Sequence, residues 1–315
     1  MKKIIITSIA LVSGLVSLAQ HETHLTQNTL HKAFLNPASI VQHPGSSGAL
    51  FHKSQWVGFS GAPVFQGINY NFSLPGADHA TGFTLKYDKI GVNKTLDFTA
   101  NYAYNLKLSE GKNLAFALSP TLRFKQSNFG EVATNDFDPL YQASTPMTVM
   151  PNFAFGTFFH TSKHYAGITI PNLLKNQLVY DGELRPTTSF DMTDMHLYIH
   201  GGTKLEVTRD LDMEPSLIIK HVAGTPLQFD INLMGYLMDK VGFGLGYRSS
   251  REFSLMANYN INEKFTAGYA YDMNFSDLTI FTSGSHELMI VYKLRKMPRK
   301  DDKKEEGGGE VSIEL

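Results

Sequence analysis

The twelve histidines are the residues of this chain whose type and spacing first suggest chemistry. His196 and His200 are four positions apart, which on a helix is the spacing of two zinc ligands. On the strand that we predict here, the two side chains would be about 13 Å apart, too far for one ion. His160 and His164 flank a short polar stretch that is more simply a hairpin turn. No third ligand is near in sequence, so we predict no metal site.

Other patterns that carry chemistry are equally weak. Gly242, Gly244 and Gly246 alternate with larger residues, which is typical of one face of a strand rather than of a phosphate-binding loop. Asp136 and Asp138 lack the regular ligand series of a calcium loop. No G-x-S-x-G motif is present to support hydrolysis by a lipase. We therefore predict a protein that is not an enzyme, with no catalytic residues and no cofactor.

Charge and composition exclude further classes. The chain has 28 basic and 29 acidic residues, and this balance gives no broad attraction to nucleic acid. Cysteine is absent, which excludes thiol catalysis, disulfides and an N-terminal lipid-anchored cysteine. Hydrophobic residues make up 42% of the 315 residues, enough to bury a substantial surface.

The N-terminus has the pattern of a targeting segment. Lys2 and Lys3 precede an apolar run over residues 4–16, and small residues follow up to Ala19. The alternative is a membrane anchor, but this run is shorter than the roughly 20 residues that a spanning helix needs. We predict a signal peptide over residues 1–19. No other apolar stretch is long enough for a membrane helix, so the sequence excludes a helical membrane protein.

From about residue 48 to residue 294 the chain alternates with period two. Leu96, Phe98 and Tyr102 fall on one face of such a segment, and Asp97 and Asn101 fall on the other. The segments approach the roughly 9 to 11 residues of a tilted membrane strand. Candidate strands lie near residues 48–57, 64–74, 79–88, 95–108, 113–126, 151–160, 164–171, 195–207, 211–221, 228–238, 240–248, 252–261, 264–273 and 285–294.

This pattern predicts an all-β fold: a single transmembrane antiparallel β-barrel of about 14 strands in the outer membrane. A soluble β-sandwich also alternates, but the signal peptide, the long strands and the aromatic residues at segment ends favour a barrel. Backbone groups in hydrocarbon must all pair within the protein, and without helices only a closed sheet achieves this. Aromatic girdle candidates are Tyr102, Tyr104, Phe158, Phe159, Tyr269, Tyr271 and Tyr292.

The predicted organisation has four parts: a signal peptide (1–19), a mature N-terminal segment (20–47), the barrel (48–294) and a charged, glycine-rich tail (295–315). An even strand count places both barrel ends, and hence the tail, on the periplasmic side. The apolar and polar residues that alternate at the end of the tail could add a strand to a partner. The alternative is a solvated, disordered tail.

Several blocks of sequence resemble the PorP/SprF family of the type IX secretion system, found in Bacteroidetes. An Asn-Pro pair follows Phe34-Leu35, and the most specific block, Gln-Trp-Val-Gly-Phe-Ser-Gly-Ala-Pro, contains the single tryptophan. Ser39-Ile40 and the charged tail depart from the family pattern. The motif residues, with a structural or partner-contact role, are Asn36, Pro37, Gln55, Trp56, Val57, Gly58, Phe59, Gly61, Ala62, Pro63, Asp88, Lys89, Gly91, Ser285, His286 and Glu287.

The resemblance implies an outer-membrane barrel, in contact with outer-membrane lipid, that works in protein secretion and, where gliding occurs, in gliding motility. Its implied partners are periplasmic ring and peptidoglycan-linked components and, for some members, one large secreted adhesin each. It implies no catalytic residue. The alternative is a passive channel for small solutes, since Lys86, Arg123, Lys125 and Arg248 fall on the predicted inner face.

Overall fold

The structure is a computed structural model of the chain. It describes residues 24–43, 45–73, 77–131, 144–180, 184–191, 195–223, 225–275 and 282–294. The predicted signal peptide and the predicted tail lie outside these residues. Within them, no helix is both long and apolar enough to cross a membrane.

Fourteen strands form a closed antiparallel barrel, as the alternating sequence predicts. Each strand pairs with its neighbours in the wall, and the first barrel strand pairs with the last. The strand His196–Thr203 pairs with both His164–Ile170 and Leu211–Val222, which closes the barrel. The barrel strands are β1 (Gly45–Ser54), β2 (Val64–Ser73), β3 (His79–Ile90), β4 (Asn93–Ser109), β5 (Lys112–Ser127), β6 (Thr148–His160), β7 (His164–Ile170), β10 (His196–Thr203), β12 (Leu211–Val222), β13 (Gln228–Leu237), β14 (Val241–Arg248), β15 (Glu252–Asn260), β16 (Phe265–Asn274) and β17 (Ser285–Lys293).

Three short strands lie outside the barrel wall. β8 (Lys175–Tyr180) and β9 (Leu184–Ser189) form a separate hairpin within a connection that was predicted to be a loop. β11 (Leu205–Glu206) adds two residues beside β12. The described chain also contains three short 3-10 helices, Lys32–Phe34, Pro37–Gln42 and Phe129–Glu131.

The two faces of each strand meet different surroundings. In β4, Phe98 and Tyr102 are exposed on the outside, whereas Asp97 and Asn101 are buried towards the lumen. Exposed apolar side chains continue this outer face around the barrel. Leu118, on the adjacent strand β5, is one example. An apolar exterior and a polar interior are the requirements of a barrel in lipid.

One aromatic prediction is wrong. Phe158 was expected in an outer girdle, but its side chain is fully buried in the lumen. Successive residues of a strand point to opposite faces, so Phe158 and Phe159 cannot both face lipid. Tyr102, Tyr104 and Tyr269 are exposed on the outer face, where girdle residues lie.

The two ends of the barrel differ in the length of their connections. We call the end with the 110–111, 161–163 and 238–240 connections the short-turn end, and β1 begins and β17 ends there. The opposite end carries the 55–63, 128–147, 171–195 and 275–284 connections, and we call it the long-loop end. β1 stops at Ser54, so Gln55–Val57, predicted as strand, belong to a long-loop-end connection.

Candidate functional site

The N-terminal residues 24–43 lie inside the barrel, and we call them the lumen segment. Leu25, Asn36 and Ile40 of this segment are buried against the inner wall. Ala38 and Ile40 pack against Phe158 and small alanines of the wall, and Leu25 packs against a second apolar group that includes Phe51. Residues 20–47 were predicted as a segment before the barrel, with no location, so the lumen segment is a functional feature that the sequence did not reveal.

A cluster of three charged side chains near the long-loop end holds the start of the lumen segment. We call Lys53, Asp272 and Glu287 the ionic latch. The Lys53 Nζ lies 2.8 Å from the Asp272 carboxylate and 3.4 Å from the Glu287 carboxylate. Lys53 and Glu287 are fully buried and face each other across the β1–β17 pairing. The same ammonium donates to the backbone carbonyl of His24 at 3.0 Å, so it also binds the segment directly.

The two carboxylates of the ionic latch accept further hydrogen bonds from the lumen segment. The backbone N–H groups of Thr26 and Gln27 donate to the Glu287 carboxylate at 2.7 and 3.0 Å. The Thr26 hydroxyl donates to the Asp272 carboxylate at 2.8 Å. Two carboxylates face one ammonium, and these donors stabilise the excess negative charge. Hydrogen bonds to charged groups are among the strongest in proteins, so the latch fixes this end of the segment.

A second ionic network lies beside the latch on the inner wall. The Lys220 Nζ is 2.6 Å from the Asp230 carboxylate, and Arg248 is 3.3 Å from the same carboxylate. Arg248 also binds the Glu252 carboxylate at 2.5 Å. Arg248 therefore faces the lumen, as predicted, but it is paired with two acids. A paired, buried guanidinium contributes little to a charged pore lining.

On the opposite wall, Asn36 anchors the middle of the lumen segment. Its amide Nδ2 donates to the carbonyl of Thr157 at 2.8 Å and lies 3.0 Å from the Nε2 of His200. Its Oδ1 accepts from the N–H of Ala38 and caps the 3-10 helix that Pro37 begins. The Asn-Pro pair is therefore a turn that joins the segment to two barrel strands.

Gly167 provides the space for this turn. A Cβ at Gly167 would lie 2.6 Å from both the Asn36 Nδ2 and the His200 Nε2. We expect Gly167→Val to displace the Asn36 turn and lower the thermal unfolding midpoint, because overpacking costs about 1–3 kcal/mol. Heat-modifiable gel migration of the purified barrel measures this midpoint. Gly235→Val is the matched control, since a Cβ there meets no atom closer than 3.8 Å; equal losses in both variants would contradict the assignment.

His31 gives the lumen segment a pH dependence. Its Nε2 lies 2.7 Å from the Asn69 Oδ1, and burial lowers its pKa to about 4. The folded state therefore binds fewer protons than the unfolded state between about pH 6.5 and 4, and stability falls as the pH falls through this range. The loss for His31 is about 2 kcal/mol at pH 5. We expect His31→Gln to reduce the drop in unfolding midpoint between pH 7 and 5; an unchanged drop would contradict this role.

Three blocks of family-motif residues meet at the long-loop end. The 55–63 connection closes on itself, because the N–H of Gln55 donates to the Pro63 carbonyl at 2.9 Å. The N–H of Gly91 donates to the Gly61 carbonyl at 2.9 Å. The N–H groups of Trp56 and Val57 donate to Ser285 and Gly284 at 3.2 and 2.8 Å. Blocks that are distant in sequence therefore form one connected surface.

The remaining motif residues take different positions around this surface. The side chains of Val57 and Phe59 are 36% and 48% exposed, and they line a surface groove of about 530 Å³. The groove is also lined by Gly61, Ala62, Pro63, Lys89 and Gly91. Gly58 has a left-handed backbone conformation in the same connection, with φ 96°. Asp88 lines a lumen cavity, whereas His286 faces outward and binds the Tyr269 hydroxyl at 2.7 Å.

The structure brings no metal site together in the part of the chain that it describes. No group of three His, Asp or Glu side chains there is arranged to hold an ion. His200 faces the lumen and binds Asn36, while His160 and His164 flank the turn between β6 and β7.

Comparison with solved structures gives outer-membrane barrels. The CymD monoaromatic hydrocarbon channel is 11% identical, with a TM-score of 0.53 over 84% of this chain and 92% of that chain. The Pseudomonas putida toluene transporter TodX is 8% identical, with a TM-score of 0.50 over 83% and 93%. The Ralstonia pickettii toluene transporter TbuX is 10% identical, with a TM-score of 0.50 over 84% and 93%. At these identities the likeness shows the fold alone.

Comparison with families and curated sequences gives a clearer assignment. No curated protein matches the chain significantly. The model of the type IX secretion system membrane protein PorP/SprF family matches residues 17–292. This match spans the lumen segment, the ionic latch and the barrel up to the penultimate residue of its last strand. The chain belongs to the PorP/SprF family of type IX secretion system membrane proteins and is an outer-membrane β-barrel.

Proposed function

We propose that this barrel is a non-enzymatic component of the type IX secretion and gliding machinery. It acts as a membrane anchor or docking barrel for periplasmic ring components or for a secreted surface adhesin. The observation that carries the proposal is the lumen segment, which buried ion pairs and hydrogen bonds hold inside the barrel. A filled lumen suits a rigid seat in the membrane better than a conduit. The surfaces for partners are then the two ends.

The orientation follows from the lengths of the connections. Bacterial barrels place short turns in the periplasm and longer loops outside the cell. We therefore place the short-turn end and the tail (295–315) in the periplasm, where ring and peptidoglycan-linked components are. The long-loop end, with its exposed Val57 and Phe59, then faces the cell surface, where an adhesin would bind.

Affinity capture from native outer membranes tests this proposal. The tagged protein is purified in mild detergent, and the proteins that co-purify are identified by mass spectrometry. We expect type IX ring components, a large adhesin, or both. A variant truncated after Leu294 should lose ring components alone, and the variant Val57→Ser with Phe59→Ser should lose an adhesin alone. Recovery of the barrel without partners, or normal export in a deletion strain without paralogues, would refute the proposal.

A passive channel is the second candidate. A polar cavity of about 210 Å³ lies in the lumen near the long-loop end, and Lys86, Arg123 and Lys125 line it. Arg123 is paired with Asp97 at 2.7 Å. Small anionic solutes would be the ligands of such a lining. A large, steady, ohmic current through the wild-type protein in planar bilayers would favour the channel, whereas a silent bilayer favours the anchor.

A further inference from the structure

A second lumen cavity, of about 330 Å³, lies at the short-turn end between the lumen segment and the wall. Its position is given by its lining, which includes Lys32 and His43 of the segment and Lys293, the last residue of β17. Hydroxyl and amide side chains such as Ser47 and Asn71 complete a polar surface. Nothing in the anchor or docking role requires this cavity.

The cations of this cavity differ in their partners. Lys32 lies 3.2 Å from the Glu214 carboxylate. Lys204 lies 2.8 Å from the Asp212 carboxylate. Lys293, in contrast, has no carboxylate within 4.0 Å among the residues that the structure describes.

The position of Lys293 is fixed by the barrel. Its backbone N–H donates to the carbonyl of Lys264 at 2.8 Å, and it lies opposite Ser47 in the β1–β17 pairing. The histidines beside it add no positive charge at pH 7. Burial lowers the pKa of His31 to about 4 and that of His43 to about 3, so both imidazoles are neutral at this pH.

Among the described residues, three ammonium groups, those of Lys32, Lys204 and Lys293, line the cavity with only two carboxylates, those of Glu214 and Asp239. One positive charge is therefore left over, and a bound anion would offset the cost of holding it there.

We propose that this cavity is an anion site, in which Lys293 is the counter-ion for an oxyanion group, carboxylate or phosphate. The cavity is large enough for such a group with several waters. The hydroxyl and amide groups of Ser47, Asn71 and Asn258 line the same space and supply neutral hydrogen-bond donors. The group could belong to free phosphate or to a carboxylate on a short organic solute.

Calorimetric titration of the full-length protein in detergent tests the site, at low ionic strength and pH 7. The probes are inorganic phosphate and N-acetylglutamate, in separate experiments. We expect saturable binding of at least one probe, weakened at least tenfold in Lys293→Gln and retained in Lys293→Arg. Binding of phosphate alone identifies phosphate as the source, and binding of N-acetylglutamate alone identifies a carboxylate.

Lys163→Gln is the matched control, because Lys163 lies in an exposed turn at the same end, pairs with Glu206 at 3.1 Å and lines neither lumen cavity, so its loss should leave the affinity unchanged. Heat-modifiable migration shows that each variant is folded. Lack of saturable binding of both probes to the wild-type protein would overturn the proposal, whatever the variants do. An affinity that Lys293→Gln leaves unchanged would overturn it as well.

Discussion

Deletion of residues 24–42 should convert a barrel that is silent in planar bilayers into one that gives discrete, ohmic current steps. A closed barrel of this strand number encloses a lumen too wide for wall side chains alone to fill. In this protein the lumen segment fills it, and its removal would expose polar wall residues such as Thr99 and Asn101 to water. Current through the deletion variant and through the wild-type protein, under the same salt and voltage, measures the effect.

Truncation after Leu294 is the control for this experiment, because it removes a comparable length of chain outside the lumen segment. This variant should stay silent. Heat-modifiable migration must show that the deletion variant still folds as a barrel. If the wild-type protein conducts as well as the deletion variant, the lumen segment does not seal the barrel and the channel becomes the better function.

The fold was predictable because lipid and lumen impose opposite polarity on every strand. Each of the fourteen predicted strands corresponds to a barrel strand, and the largest errors occur at strand ends. Gln55 was predicted in a strand, but its N–H closes a loop with Pro63 instead. A hydrogen bond of this kind follows from the geometry of the connection and leaves no period-two signal.

The lumen segment was not predictable in the same way. Its partners are distant in sequence, and Thr26 binds Glu287 across 261 positions. Its own residues have no strand or helix periodicity. One signal was available: Lys53 and Glu287 fall on inward faces of predicted strands, and buried charges need partners. Two opposite charges on adjacent strands indicate a buried pair, but the backbone N–H groups that complete the site carry no signature in sequence.

Lys53→Met should destabilise the protein strongly, by about 3–5 kcal/mol, because it leaves two buried carboxylates without their counter-ion. The carboxylates of Asp272 and Glu287 would also lose the ammonium that joins them to the His24 carbonyl. The start of the lumen segment should detach from the wall. The unfolding midpoint from heat-modifiable migration measures stability, and limited proteolysis of the N-terminal segment measures its detachment.

Glu287→Gln should have a smaller effect, about 1–2 kcal/mol, because Lys53 keeps Asp272 and the amide oxygen still accepts one backbone hydrogen bond. The triple variant Lys53→Met, Asp272→Asn and Glu287→Gln should recover part of the stability lost in Lys53→Met, since it removes the three charges of the ionic latch together. His286→Gln is the matched control: this neighbour of Glu287 faces outward, so its loss should leave the segment protected. If the triple variant is less stable than Lys53→Met, the loss comes from packing around Lys53, and the latch does not hold the segment through charge.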